Sequence, residues 1–274
     1  MRARTVMMVG LLLAVPVRSR ATMYRSDYSG EFGTLNPDTA AFTVLGTPVS
    51  AHPLSGICLD MDGRMWGTSR TSSTPTTTLI EINPSTGGLI NSVGIIKVGT
   101  VQLNITDLAC QPGTGTLFAL DSSKPSNLYT IDKATGAATL IGTTAIQRGG
   151  LGFAPDGRLF AVSVSDEFAQ LDPANAQTIG SVLDTDTCLD GFAIRPDDGA
   201  AFATQCDGDG LYRVNLATGG TDFVGAMGDY GADVEFSPAG VRAPALSGTG
   251  LGVVGIALLG SGVWLLRRRG QRAA

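Results

Sequence analysis

The chain has 274 residues, of which 43% are hydrophobic and 16% charged, with 37 glycines, four cysteines and one histidine. Eight of its nineteen Lys and Arg lie in residues 1–21 and 267–274, which hold no acid, so the body between carries eleven basic against twenty-four acidic residues. That balance argues against nucleic acid and anionic lipid as partners of the body, since phosphate contacts need a basic face, and the lone His52 argues against a His-rich metal site.

Residues 1–21 read as a secretory signal peptide. Arg2 and Arg4 precede an apolar run from Val6 to Val17, and Ser19-Arg20-Ala21 supplies small residues near a cut. Arg18 and Arg20 are unusual so close to a cleavage site. The competing reading is an N-terminal membrane anchor, for which the run is short.

Residues 22–242 read as one all-β domain built on a repeat. Leu128 to Gly142 shows the unit: two β-prone runs around the polar turn Asp132-Lys133-Ala134-Thr135-Gly136. It recurs around Asn36-Pro37-Asp38-Thr39-Ala40, Asn83-Pro84-Ser85-Thr86-Gly87, Asp172-Pro173-Ala174-Asn175-Ala176 and Asn215-Leu216-Ala217-Thr218-Gly219. The turn ends fall 47, 49, 40 and 43 residues apart, a period that strand-only sequence gives in propeller arrays. A second hairpin precedes each of the last four copies, turning at Asp60–Gly63, Gln111–Gly115, Pro155–Gly157 and Pro196–Gly199. Two hairpins make a four-stranded blade.

The remaining blade is split. Val234–Pro238 supplies a first strand and stops, while Met23–Ser26 stands alone ahead of the first repeat. Joining them predicts a five-bladed β-propeller closed by its N- and C-terminal strands, which removes the exposed sheet edge. An open β-solenoid or sandwich is the alternative.

Residues 243–274 read as a sorting signal or transmembrane anchor. Ala243-Pro244-Ala245 leads into a Gly/Leu/Val run to Leu266, followed by Arg267-Arg268-Arg269. The run is long enough to span a bilayer as a helix, and the arginines place its end in the cytoplasm. This tail resembles bacterial C-terminal sorting tails of the PEP-CTERM kind, which implies export, recognition at the membrane and removal by a dedicated protease. The motif departs from that family's Val-Pro-Glu-Pro, with Arg242-Ala243-Pro244-Ala245 in its place. The repeats, through Thr106-Asp107-Leu108-Ala109, Gly115–Leu120 and Leu128–Thr139, resemble the uncharacterised secreted propellers of the DUF4394 kind, a resemblance that implies a fold and no activity.

An exported chain meets an oxidising compartment, and four cysteines favour bridges. Cys188 and Cys206 are symmetric about the turn Pro196–Gly199, so they face one another across a hairpin and predict a disulfide. Cys58 and Cys110, the candidate second pair, lie on first strands of adjacent blades. They sit one residue out of register, which turns them to opposite faces and counts against that bridge.

The acids are the candidates for chemistry. Aligned first strands place Gly56, Asp107, Gly150, Gly191 and Asp233 at one position, with Asp190 a residue earlier in its blade and Glu235 on the strand of Asp233. First strands line a propeller's channel, so Asp107, Asp190, Asp233 and Glu235 are expected near one mouth as ligands for calcium or another ligand. The plainer reading has these carboxylates accepting backbone N–H bonds at strand ends. Asp60-Met61-Asp62-Gly63 and Asp207-Gly208-Asp209-Gly210 are short Asp/Gly turns without the closing Glu of a calcium loop.

No catalytic motif is legible. The reading is an exported, cell-envelope propeller acting as a non-catalytic binding or structural module. Its expected partners are an extracellular ligand or protein, and the membrane through the C-terminal helix. The alternative is a metal-assisted hydrolase or lyase using the channel-mouth carboxylates.

Overall fold

The computed structural model describes residues 20–49, 52–70 and 76–238. Residues 1–19 of the expected signal peptide and the whole expected tail, with Pro244 and Arg267–Arg269, lie outside them. Among the described residues no helix is long and apolar enough to cross a membrane.

The described chain folds into five four-stranded antiparallel sheets, and a small hairpin, Lys97–Val98 with Val101–Gln102, joins the second to the third. Each sheet is a blade. The second to fifth blades begin at the axis with the inner strands Leu54–Leu59, Ile105–Cys110, Leu151–Phe153 and Leu189–Ile194, and step outward in chain order. The first blade is closed from both ends of the chain. Its inner strand, Gly231–Phe236, pairs with Met23–Asp27, putting Met23 opposite Phe236 and Ser26 opposite Asp233. Phe32–Leu35 and Phe42–Gly46 complete that blade. Ser237 N–H to Thr22 O and Thr22 N–H to Ser237 Oγ, both 2.8 Å, extend the closure by a residue.

The repeated turns are alike in structure because they are alike in chemistry. In each, the Asn or Asp at the first position accepts the backbone N–H two residues on through its side chain: Asn36, Asn83, Asp132, Asp172 and Asn215. The fifth residue then bonds back to the first residue's carbonyl at 2.8 Å and adopts a left-handed φ: Ala40 58°, Gly87 64°, Gly136 74°, Ala176 66° and Gly219 77°. Glycine takes that conformation without strain.

The core lies between blades. Five apolar clusters occupy the five seams. One, for example, packs Trp66, Leu79, Leu108 and Tyr129 of the second and third blades, and another packs Tyr24, Phe32, Ile57 and Ile80 of the first and second. A blade alone would expose both faces, so closing the ring buries them.

Both cysteine pairs are bridged. Cys188–Cys206 joins the two strands of its hairpin, with Cα atoms 5.4 Å apart, as expected. Cys58–Cys110, Cα atoms 5.7 Å apart, overturns the expectation set against it. The one-residue offset holds, but it favours the bridge. Neighbouring blades stack face against face, so the forward face of one meets the backward face of the next. A bridge across a seam needs side chains that point to opposite faces, and the one-residue offset provides them. Two disulfides are consistent with an exported chain.

Candidate functional site

The five inner strands approach the axis closely. A Cβ on Gly56 would stand 2.8 Å from the Cα of Asp107, and one on Gly191 would collide with the Cα of Asp233. The glycines at these aligned positions let the strands converge, and the two aspartates fill the centre they leave. Irregular pairing recurs here, with the register shifting between Ile105 and Asp107 and between Ser26 and Asp27 opposite Asp233. Such bulges re-aim side chains.

Asp107 and Asp233 are both about 1% exposed. Asp107 accepts the N–H of Leu108 at 2.6 Å and, across the seam, that of Leu151 at 2.7 Å. Asp233 accepts Val234 N–H and, across its own seam, Ile57 N–H, both at 2.6 Å. Each carboxylate thus ties two inner strands. The two carboxyl groups are close enough to feel one another, and the charge of Asp233 disfavours ionisation of Asp107. Burial raises both acids above the carboxylate range. Asp107 is pushed well up, with the charge of Asp233 adding to burial. Asp233 is pushed up to about 7, against the hydrogen bonds from Asp107, Ile57 and Val234.

Asp190 belongs to the mouth where the inner strands begin. Its carboxylate takes a short hydrogen bond from the Tyr28 hydroxyl, and Arg148 Nη2 lies 3.8 Å away. Arg148 also reaches the Tyr28 oxygen at 3.4 Å, and the Arg70 guanidinium stands over the Tyr28 ring at 5.8 Å. Burial raises Asp190, opposed by Tyr28, Arg148 and Arg70. Asn104 on the next inner-strand approach bonds Ser122 at 2.9 Å and Arg70 at 3.4 Å.

Glu235 faces the opposite mouth. There the last residues of all five inner strands, Leu59, Cys110, Phe153, Ile194 and Phe236, line a cavity of about 220 Å³. The residue two positions after each forms the rim: Met61, Pro112, Pro155, Pro196 and Pro238. Proline fixes φ and offers no N–H, so this rim is stiff and its donors are few. Glu235 is the titratable side chain of the lining. Burial pushes it well above the carboxylate range and the charge of Asp233 adds to this, while the Phe236 N–H at 2.7 Å works against both.

The four acids singled out in sequence are therefore spread along the axis. Asp190 lies at one mouth, Asp107 and Asp233 in the middle, and Glu235 at the other mouth. Among the described residues, one set of three His, Cys, Asp or Glu ligand atoms falls within 4.8 Å: Cys188, Cys206 and Asp207. Both of its sulfurs are spent in a disulfide. The channel acids do not form a calcium-type ligand set, and each oxygen of Asp107 and Asp233 accepts a backbone N–H.

Asp60 has a different task. Its carboxylate accepts Trp66 Nε1–H at 2.9 Å and Lys133 Nζ at 2.6 Å, the latter from the repeat turn of the next blade. Burial pushes Asp60 up, but the bonds from Lys133 and Trp66 outweigh it and hold the acid below its usual range. What looks like an Asp/Gly loop is a clamp across a seam.

The strand-end cup escaped sequence reading. Its signal was present in the prolines at 112, 155, 196 and 238, each two residues past an inner strand. They read as turn residues until the ring brings them together.

No protein-family model matches the chain, and no curated protein matches it. Solved structures do. A candidate gluconolactonase shares 14% identity at a TM-score of 0.53, covering 78% of this chain and 81% of its own. A chain of the nidogen/laminin complex shares 11% at 0.51, covering 79% and 98%. A protein of unknown function from Bacteroides caccae shares 12% at 0.45, covering 75% and 72%. The likeness is one of fold. This chain is a β-propeller, and identities this low carry no activity across.

Proposed function

We propose that the protein is an exported binding propeller that takes an apolar ligand group in the cup at the ends of its five inner strands, and that it performs no chemistry there. One observation carries the reading. All five inner strands end in a side chain that lines one cavity, rimmed by four prolines and Met61. A concave apolar site with few, placed polar groups is the usual form of a ligand pocket. The acids that a hydrolytic reading would need are committed elsewhere: Asp107 and Asp233 to the inner strands, Asp190 to Tyr28 and Arg148.

Methyl-detected NMR with 2-phenylethanol as the apolar probe tests this. The methyls of Met61, Leu59 and Ile194 shift saturably, while the exposed Ile90, Val101 and Ile179 on outer strands and loops stay still. Uniform shifts across both sets, or none at the cup, sink the proposal.

Export and envelope attachment belong to the same proposal. The body leaves the cytoplasm through residues 1–21 and is held at the membrane by residues 243–274. Fractionation of cells making the full chain and a chain ending at 242 reads this directly. The full chain is expected with membranes and the shortened one outside the cell or in the soluble envelope fraction. Equal distribution of the two contradicts the anchor.

A further inference from the structure

The cup is not purely apolar. Glu235 opens onto it from the inner strand Gly231–Phe236, and no Lys, Arg or His shares the lining. One of its carboxylate oxygens accepts the Phe236 N–H; the other takes no protein donor among the described residues. Arg195, just past the end of the neighbouring inner strand, is held by both oxygens of Asp198 at 2.8 and 2.7 Å, and its guanidinium lies 6.0 Å from the Phe236 ring. It gives Glu235 no counter-charge. On the inward side stands Asp233, whose charge repels that of Glu235.

We infer that the cup selects a small apolar amine, bound as its ammonium with Glu235 as the counter-ion. The inference rests on the cup being the ligand site. A carboxyl exposed only to an apolar cavity stays protonated when alone, because burial penalises its charged form. A ligand ammonium supplies the missing partner. It takes the free carboxylate oxygen in a charge-assisted bond, and the Glu235 proton leaves to solvent. The apolar part of the ligand then fills the space among Leu59, Phe153, Ile194 and Phe236. Phe153 and Phe236 also offer ring surfaces to a cation. The acidic body adds a field that draws cations and repels carboxylates. An anionic ligand of the same shape would meet Glu235 and Asp233 with no compensating cation.

Calorimetric titration of the full chain at pH 7.5 with 2-phenylethylamine, 2-phenylethanol and 3-phenylpropionate provides the test. The amine is expected to bind about tenfold or more tightly than the alcohol, the value of a charged hydrogen bond, and the propionate not to bind. Amine binding should release protons, seen as a buffer-dependent heat. In Glu235→Gln, which retains an acceptor for Phe236 N–H, the preference for the amine over the alcohol should be lost. In Met61→Arg, a cation placed on an exposed rim position, amine binding should weaken more than alcohol binding. Amine and alcohol binding equally, or Glu235→Gln leaving the amine unaffected, overturns the amine inference while the cup stands. Failure of all three probes, with no methyl shift at Met61 or Ile194, overturns the cup and the inference with it.

Discussion

Raising the pH from 4.5 to 7 should destabilise this protein, a direction set by the buried acids of the channel. Asp233 is raised to about 7 and Asp107 well above its ordinary value, because burial penalises their charged forms and the charge of Asp233 adds to this at Asp107. In the unfolded chain each titrates near the ordinary 3.8. Between those values the folded state holds protons that the unfolded state has released. The stabilisation is therefore complete at and below pH 4 and is lost as pH rises toward 7. Each such proton gives a slope of about 1.4 kcal/mol per pH unit, so Asp233 alone contributes on the order of 4 kcal/mol across the window. For a domain of this size that is roughly 3–6 °C in Tm per pH unit. Asp190 and Glu235 are raised too and steepen the fall. The acids held below their ordinary value, such as Asp60, Glu81 and Asp198, act at and below their ordinary values of 3.8 and 4.5, at the acid edge of this window, and do not offset the fall above it. The variant Asp233→Asn isolates the pair. Its amide can donate to Asp107 without a titrating proton, so the slope should drop by about one proton's worth. The variant should be less stable than the parent at pH 5, where one acceptor is lost, and more stable at pH 8, where a buried charge is gone. The assay is chemical denaturation at half-unit pH steps with both proteins. A flat or rising stability from pH 4.5 to 6.5, or an unchanged slope in the variant, refutes the retention of a proton by these buried acids.

Four further outcomes follow from the same geometry. Lys133→Met removes one end of the clamp on buried Asp60 and should cost about 2 kcal/mol by urea denaturation; because Asp60 is held below its usual range, that loss should vanish as pH falls below about 4. Opening Cys188–Cys206 by double serine substitution should cost about 3 kcal/mol and opening Cys58–Cys110 about 4, from closed loops of 18 and 52 residues; equal melts for parent and variants would contradict both bridges. Gly191→Ala forces a methyl onto the backbone of Asp233 and should destabilise by about 1–3 kcal/mol, whereas Gly157→Ala, at an open turn, should show only the smaller cost of its left-handed φ. Adding EDTA or excess calcium should leave the melting temperature unchanged, since the channel acids form no calcium-type ligand set; a melt lowered by EDTA would place a cation in the fold.

Much of the architecture was open to reading in one dimension because its signals are local. The five polar turns each carry their own Asx side-chain bond and left-handed end residue, so every hairpin announces itself within five residues. The split blade follows by complement, since Met23–Ser26 and Val234–Pro238 lack any other partner in the repeat. The Cys188–Cys206 bridge is equally local, being symmetric about one turn.

The seams and the axis were decided by tertiary structure. Cys58 and Cys110 meet because stacked blades join opposite faces, a relation that strand register within one sheet does not contain. Alignment brought Asp107 and Asp233 to one level, and the structure makes them a buried pair, because glycine on the intervening strands lets the backbones close around them. Glu235 lies two residues from Asp233 on the same strand yet opens onto a mouth, among Pro238 of its own segment and prolines from three distant turns. Sequence thus determined the blade, its repeat and its covalent hairpin tie, since hydrophobic period and turn chemistry act over a few residues. Which side chains share the channel and the cup was set only when the ring closed, because those contacts join residues up to about 180 positions apart and depend on how five separate sheets stack around one axis.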